Sequence, residues 1–166
     1  RASYVAEAID SVVQQRYPNL EHIVVDGGST DGTLDILSSY PHLRLFSEPD
    51  SGLYDAINKG LRLAQGDVIG FLNTDDIYMD SVFIRVADIF MRHPACSAVL
   101  GGVSIFVDGP DYGRRTVAVH PPFTQKEFLK QVTQGLPLFN GWFFRRNTFC
   151  ETGEFDIRYR YAADRD

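Results

Sequence analysis

The apolar residues of the first hundred positions follow two alternating patterns. Three stretches repeat them at the spacing of one helix face. Between them lie three shorter runs that are typical of strands: the first is rich in β-branched residues, the second is short, and the third is continuously apolar. A further helix is predicted where Ser, Thr and Asp open a segment after the first strand. The predicted helices cover residues 5–13, 29–40, 53–64 and 82–90, and the predicted strands cover 20–29, 43–48 and 67–73.

The order of these elements predicts the fold class. Strands that alternate with helices form a mainly parallel central sheet with helices on both faces, which is a three-layer α/β/α arrangement. Ser3 is the predicted cap of the first helix, and Pro18 follows its end.

The pattern changes after residue 95. The elements predicted there are two strands joined across the turn "DGPDYG" and one short helix, at residues 97–109, 114–120 and 124–132. The aromatic-rich segment 138–153 fits neither period. We therefore expect residues 1–166 to form a single domain. Its two halves, residues 1–100 and 101–166, differ in their pattern of elements.

Composition and charge narrow the function classes. With 44% hydrophobic and 13% aromatic residues, a chain of 166 residues can bury one core. A net charge of −6 without a long basic run argues against nucleic acid as the main partner, and no apolar stretch reaches the about 18 residues of a transmembrane helix. We expect Cys96 and Cys150 to be reduced, buried thiols, with a disulfide as the open alternative.

Both ends of the chain resemble interior sequence. A helix is predicted within a few residues of Arg1, and the final "YAADRD" looks like the start of another element. We therefore expect the chain to be cut from a longer protein at both ends, so that the lack of a targeting signal says little about the whole.

Polar residues follow each of the three predicted strands. Because the carboxyl ends of parallel strands meet at one edge, where ligands of open α/β sheets bind, we expect these residues to converge. The three groups are Asp26-Gly27-Gly28-Ser29-Thr30-Asp31, Glu48-Pro49-Asp50-Ser51-Gly52 and Asn73-Thr74-Asp75-Asp76.

Each group also has a local explanation. Asp26 and Asp31 could cap a helix, Asp50 could hold a turn, and Asp75 with Asp76 could be a solvated cap of the next helix. The run "GGSTDG" has neither the spacing of a dinucleotide fingerprint nor the lysine of a P-loop. Carboxylates with few cations nearby fit a hard divalent metal, Mg²⁺ or Mn²⁺, that also binds substrate phosphates.

Nearly the whole chain resembles the inverting family 2 glycosyltransferases of the GT-A fold, which act in cell-envelope or polysaccharide biosynthesis. The resemblance lies in three motifs, "EHIVVDGGSTDGT", "EPDSGLYDAINKGLRLAQGDVIGFLNTDD" and "YAADRD", whose order and spacing agree. Within the second, "NTDD" occupies the place of the family's D-x-D-type metal motif, with Asn73 in place of the first acid. The implied fold is that of nucleotide-diphospho-sugar transferases, and the family's first strand would lie just before Arg1.

The resemblance implies a donor site at the predicted strand ends. Asp26 resembles the carboxylate that accepts from the nucleobase, usually uracil N3–H. Asp75 resembles the group near the ribose and phosphate, and Asp76 resembles the ligand of Mn²⁺ or Mg²⁺. The other donor-cleft residues that it implies are Gly28, Ser29, Asp50, Gly52, Asn58 and Asn73.

The implied reaction is transfer of a hexosyl or N-acetylhexosaminyl group from a UDP-sugar, with inversion, to a glycan or glycolipid acceptor. Asp164 in "YAADRD" matches the family's base and Asp166 is its rival; Asp164 could also be an ordinary acid at a helix N-terminus. Trp142 lies where the family contacts sugar or acceptor, with core packing as the alternative. The implied location is the cytoplasm, or the inner face of the membrane if parts outside this chain attach the protein.

Two other functions stay open at this point. A sugar-nucleotide-forming nucleotidyltransferase has a related core, but its Gly-rich phosphate loop would lie before Arg1. A non-catalytic nucleotide-binding or sugar-binding module would keep Asp26, but it has no need of Asp75, Asp76 and Asp164 together.

Overall fold

The computed structural model describes residues 2–111, 113–122 and 139–158. Five helices and seven strands lie within these ranges. The helices are Ala2–Val13 (α1), Thr33–Ser38 (α2), Leu53–Leu63 (α3), Val82–Arg92 (α4) and Arg146–Thr152 (α5). The strands are Ile23–Asp26 (β1), Arg44–Ser47 (β2), Val68–Gly70 (β3), Ala98–Leu100 (β4), Val103–Gly109 (β5), Gly113–His120 (β6) and Trp142–Arg145 (β7).

The alternation predicted for the first hundred residues is confirmed, with changes at the boundaries. Helix α1 already includes Ala2, so Ser3 lies inside the helix and its prediction as the cap is wrong. Strand β3 ends at Gly70, three residues earlier than predicted. The predicted strand 97–109 is two strands, β4 and β5, and the helix predicted at 124–132 lies outside the described residues.

The first half of the chain packs one core around two parallel strands. Ile23 of β1 pairs with Arg44 of β2, and the register continues in parallel to the pair of Asp26 with Ser47. The apolar face of α1 packs against α2 and these strands through the buried residues Val5, Ile9 and Leu37. This layer holds the end of β1, and therefore Asp26, rigidly.

The aromatic-rich segment that the periods did not assign supplies the central strand of a second sheet. Strand β7 runs antiparallel between β3 and β4, with Phe143 opposite both Gly70 and Val99. Strands β3 and β4 are therefore parallel to each other. Phe143 is buried against Val86 and Phe90 of α4. Because β7 is antiparallel to β3, its first residues lie beside the turn that follows β3.

An apolar cavity of about 520 Å³ separates the two sheets. Strands β1 and β3 are each the last strand of their sheet, and both line the cavity. Inward-facing side chains of α1, α3 and α4 cover it, among them Ile9, Ile57 and Val86.

Strands β5 and β6 form the predicted hairpin. Their antiparallel register runs from Val103 opposite His120 to Gly109 opposite Gly113. Arg114 ties the hairpin to the body of the protein, because its guanidinium binds both Asp108 and Glu7 of α1. No helix within the described residues is long and apolar enough to cross a membrane.

The two cysteines do not bond to each other. Cys96 is half-buried and donates to the carbonyl oxygen of Ala98 at 3.0 Å. Cys150 is exposed, so the expectation that both thiols are buried is wrong for Cys150.

Candidate functional site

Asp26 ends β1 as a buried, fixed carboxylate with 6% of its surface exposed. Its Oδ2 atom accepts from the backbone N–H groups of Gly28 (3.0 Å) and Ser29 (2.9 Å) and from Ser47 Oγ on β2 (2.7 Å). Burial alone would raise the carboxyl pKa, but the hydrogen bonds from Ser29, Ser47 and Gly28 outweigh it and lower the pKa. Asp26 is therefore an anion at neutral pH, and its Oδ1 atom accepts none of these three bonds.

Asp31, in the same group, has a local role. Its Oδ1 atom accepts from the backbone N–H (3.2 Å) and the hydroxyl (2.5 Å) of Thr33, the first residue of α2. These two hydrogen bonds lower the pKa of Asp31 to about 2. Asp31 therefore holds the turn that enters α2, but the N-cap residue of this helix is Gly32 and not Asp31.

The second predicted group is in direct contact with the first, because the carboxylate of Asp50 lies against the backbone of Gly27. A Cβ atom at Gly27 would lie 2.4 Å from Asp50 Oδ2, so only glycine lets this carboxylate approach the backbone after β1. Asp50 Oδ1 accepts from the N–H of Gly52, 2.9 Å away, at the start of α3. Lys59 of α3 donates to the carbonyl oxygen of Pro49 at 3.0 Å and so braces the same loop. Two of the three predicted groups thus form one edge.

The third group, Asn73 to Asp76, makes a turn after β3. The N–H of Asp76 donates to the carbonyl oxygen of Asn73 at 3.2 Å. Asp75 is exposed and Asp76 is half-buried. The hypothesis that these two acids cap the next helix is wrong, because α4 begins at Val82 and its N-cap is Ser81.

The cavity between the sheets is lined by residues from the neighbourhood of both the first and the third predicted group. Its lining includes Val25 of β1, and Asn73 and Thr74 beyond β3. Convergence of Asp75 and Asp76 with the edge formed by Asp26 and Asp50 stays a prediction.

Asn140 is a site residue that the sequence did not identify. It lies in the 3₁₀ turn Phe139–Gly141 before β7, and its Nδ2 atom donates to Asp76 Oδ2. Nearby, the buried phenol of Tyr78 donates to the carbonyl oxygen of Phe71 at 2.8 Å. Burial and the charge of Asp76 both raise the pKa of Tyr78 above its ordinary value, so this phenol stays neutral.

The oxygen atoms at Asp76 suit the predicted cation. Within the described ranges, no three His, Cys, Asp or Glu side chains are close enough together to hold a metal ion. The protein instead offers the Asp76 carboxylate and the adjacent amide of Asn140, whose Oδ1 atom is buried without a hydrogen-bond partner. Mg²⁺ and its analogues are commonly bound by one or two protein oxygens, with phosphates and waters in the remaining positions. These residues therefore fit Mg²⁺ or Mn²⁺.

Trp142 begins β7 and is half-buried. Its ring stacks on Phe144, two residues along the same face of the strand, with the centroids 5.6 Å apart and the planes at 19°. Phe144 continues into a cluster of aromatic rings with Phe71 and Phe149. Trp142 therefore takes part in packing, and its contact with a sugar or acceptor stays a prediction.

Asn58 has a different contact from the one predicted. Its side chain is 2% exposed, and its amide pairs twice with the backbone of Phe155: Nδ2 donates to the carbonyl oxygen (2.8 Å), and Oδ1 accepts from the N–H (2.9 Å). Tyr54, one turn earlier on α3, stacks on the ring of Phe155. Arg62 adds an ion pair to Glu154. Asn58 thus anchors the segment after α5, and we do not keep it as a donor contact.

Replacing Asn58 by alanine should lower the free energy of unfolding by about 2–4 kcal/mol, because two buried hydrogen bonds are lost and their backbone partners stay buried. Denaturant unfolding measures this change. The control is Asn147→Ala on α5, an exposed position that should leave stability unchanged. UDP affinity should be unchanged in both folded variants; a large loss of affinity without loss of stability would restore Asn58 to the donor site.

The two candidate bases, Asp164 and Asp166, lie outside the described residues. Their assignment stays a prediction from the resemblance. The last described residues, 153–158, lead towards them and are held by the α3 contacts of Asn58 and Arg62.

Comparison of the sequence with known proteins gives consistent matches. The family model described as Glycosyl transferase family 2 matches residues 1–151. A PGL/p-HBAD biosynthesis glycosyltransferase of Mycobacterium bovis is 30% identical over 171 residues, which cover 99% of this chain and 63% of that protein. The putative teichuronic acid biosynthesis glycosyltransferase TuaG of Bacillus subtilis is 35% identical over 140 residues, with 80% and 54% covered. The chain spans less than two thirds of either relative.

Solved structures match the fold. The mannosyltransferase PcManGT from Pyrobaculum calidifontis, in complex with GDP-Man and Mn²⁺, superposes with a TM-score of 0.67 at 24% identity, over 99% of this chain and 46% of that one. Residues 1–349 of S. aureus TarS, in complex with UDP, superpose with a TM-score of 0.69 at 21% identity, over 97% and 48%. At these identities the likeness concerns the fold alone, and it confirms the predicted α/β nucleotide-diphospho-sugar transferase fold.

Proposed function

The chain belongs to glycosyl transferase family 2, and from this we propose that it moves a sugar from a nucleotide-diphosphate donor to an acceptor hydroxyl in cell-envelope polysaccharide or glycolipid synthesis. The observation that carries the proposal is the edge where the loops of Asp26 and Asp50 touch beyond parallel strands. Two relatives named as biosynthetic glycosyltransferases support it. Family membership also argues against the nucleotidyltransferase alternative.

The donor we propose is a UDP-sugar. Asp26 is held as an anion at the end of β1 by the loop N–H groups and Ser47, and a carboxylate oxygen suits an N–H of the nucleobase. Uracil and guanine both carry a ring N–H at the required position, whereas cytosine and adenine have an acceptor nitrogen there. TarS, solved with UDP and with UDP-GlcNAc, supports uracil, whereas PcManGT, solved with GDP-Man, is the example of guanine among the structural neighbours.

In this proposal Asp75 and Asp76 have separate roles near the diphosphate of the donor. Asp75 is exposed and contacts the ribose and phosphate, and half-buried Asp76 holds Mn²⁺ or Mg²⁺. A divalent cation bound there neutralises the charge that grows on the departing diphosphate. Gly28, Ser29, Gly52 and Asn73 complete the donor site.

The second half of the chain, residues 101–166, is proposed to bind the acceptor, and residues 1–100 bind the donor. The acceptor oxygen forms a bond to the sugar C1 from the face opposite the diphosphate, and the bond from C1 to the diphosphate oxygen breaks. UDP leaves with the electron pair, and the hydroxyl proton passes to Asp164. One displacement inverts C1. Trp142 is the proposed sugar or acceptor contact.

The proposed reaction requires a nucleotide sugar as the donor and a glycan or glycolipid as the acceptor. Nucleotide sugars are cytoplasmic metabolites, so the proposed place of action is the cytoplasm, at the inner face of the membrane when the acceptor is a glycolipid.

Replacing Asp26 by asparagine should weaken UDP binding about 10-fold to 100-fold, the value of one hydrogen bond to a charged group. Asparagine keeps an oxygen for the loop N–H groups, but it then turns its own N–H₂ towards the N–H of uracil. Calorimetry with UDP and CDP measures the effect, with exposed Asp35→Asn as the matched control.

The parent protein, without substitutions, should bind UDP more tightly than CDP. Asp26→Asn should remove most of that difference in affinity. Equal affinity of the parent for both nucleotides would contradict the role of Asp26. Nucleotide binding without sugar transfer to any acceptor would favour a non-catalytic module instead.

A further inference from the structure

Asn140 has an unusual side-chain environment. Its Nδ2 atom donates to Asp76 Oδ2, while its Oδ1 atom has no hydrogen-bond partner. Within the described part of the chain, this Oδ1 is the one buried side-chain oxygen or nitrogen in that state. Buried acceptors are nearly always paired, so an unpaired one at a candidate cation site calls for a ligand.

The backbone fixes Asn140 beside Asp76. Strand β7 lies between β3 and β4, which brings the residue before it next to the turn after β3. The carbonyl oxygen of Gly141 accepts from the N–H of Gly101 at 2.8 Å. A Cβ atom at Gly141 would lie 2.9 Å from Val103 Cγ2, so only glycine fits this close approach. The packed backbone at Gly141 therefore positions the amide of Asn140.

The chemistry of the two side chains is that of a hard cation site. Mg²⁺ and Mn²⁺ prefer oxygen atoms, and both carboxylates and asparagine carbonyls serve as ligands. Within the described ranges no cluster of three acidic, His or Cys side chains is present. The Oδ1 atom of Asn140 is a neutral oxygen next to that carboxylate.

We propose that Asn140 is a second protein ligand of the cation at Asp76: its N–H₂ group orients the carboxylate, and its Oδ1 atom binds the metal. This inference rests on the proposed function, because the cation is the one that the donor diphosphate shares. It assigns a metal-site role to a residue of the second half of the chain, so that the turn before β7 completes a site built by the turn after β3.

The test measures Mn²⁺ binding directly, by the loss of the free Mn²⁺ signal in electron paramagnetic resonance. The purified parent protein is compared with Asn140→Ala, Asn140→Asp and Asp76→Asn. Exposed Asn147, in the same segment, provides the matched controls Asn147→Ala and Asn147→Asp. Thermal unfolding with and without Mn²⁺ checks that each variant is folded.

Asn140→Ala should weaken Mn²⁺ binding about 10-fold to 100-fold, as loss of a supporting group at a metal site does. Asn140→Asp keeps an oxygen ligand and should bind Mn²⁺ at least as tightly as the parent. Its carboxylate repels Asp76 when no metal is present, so Mn²⁺ should raise its melting temperature more than it raises that of the parent. The Asn147 variants should match the parent in both measurements.

UDP titrations separate this inference from the proposed function. Asn140→Ala should weaken UDP binding when Mn²⁺ is present and leave it unchanged in EDTA. If Asn140→Ala binds Mn²⁺ like the parent while Asp76→Asn does not, Asn140 is not a ligand and the proposed function stands. If Asn140→Ala and Asn140→Asp weaken Mn²⁺ binding equally, the amide acts only through its N–H group, and the ligand assignment is wrong. If the parent binds neither Mn²⁺ nor UDP, both proposals fail.

Discussion

Replacing Asp76 by asparagine should lower the rate of sugar transfer about a hundredfold or more while the protein stays folded. The magnitude follows from the loss of one electrostatic contact that acts in the transition state. Asparagine has the same shape and still offers an oxygen to the Nδ2 atom of Asn140, so the local structure should persist. The site would lose the negative charge that holds the cation.

Transfer assays and melting temperatures of parent and variant measure this effect. Asp80→Asn, an exposed acid four residues further along the same loop, is the matched control and should have parental activity. An Asp76→Asn protein that transfers sugar at the parental rate, with the same metal dependence, would show that Asp76 is not the metal ligand.

Replacing Asp164 by asparagine should lower the transfer rate about 10²-fold to 10⁴-fold, the usual contribution of a positioned general base. The acceptor hydroxyl is a poor nucleophile until its proton is removed, and asparagine cannot take up that proton. UDP binding in the presence of Mn²⁺ should be unchanged, because Asp164 is neither a proposed nucleotide contact nor a proposed metal ligand.

Asp166→Asn is the comparison for this second prediction, since the same charge is lost two residues away. It should have nearly parental activity. If Asp166→Asn loses activity and Asp164→Asn retains it, the general base is Asp166. Loss of UDP affinity in Asp164→Asn would indicate a donor contact or a folding defect instead of a base.

The parts of the fold that the sequence predicted are those encoded by local patterns. The apolar faces of α1 and α4 repeat at the helical period and pack into the core as that period predicts. The predicted face of α3 lines the cavity instead, and the buried residues of this helix are Tyr54 and Asn58. β-Branched runs ending in aspartate or glycine located β1 and β3. The buried Asp26 was identified because it directly follows such a run.

The features that sequence reasoning missed depend on contacts between distant residues. The strand β7 is defined by pairing with β3 and β4, and its aromatic residues follow no single period because both of its faces are covered. The amide of Asn140 lies 64 positions from Asp76, and that of Asn58 lies 97 positions from Phe155. A resemblance placed Asn58 in the donor cleft, while packing places its amide in the core.

The most direct test of the central claim is the affinity of the purified protein for UDP, measured by calorimetry in Mn²⁺ and again in EDTA. The central proposal is that the protein binds a nucleotide diphosphate through Asp26 and through a cation at Asp76. The prediction is clearly tighter binding with Mn²⁺, since a cation held by the Asp76 carboxylate would offset the charge of the diphosphate. Equal affinity for UDP with and without metal would contradict the account.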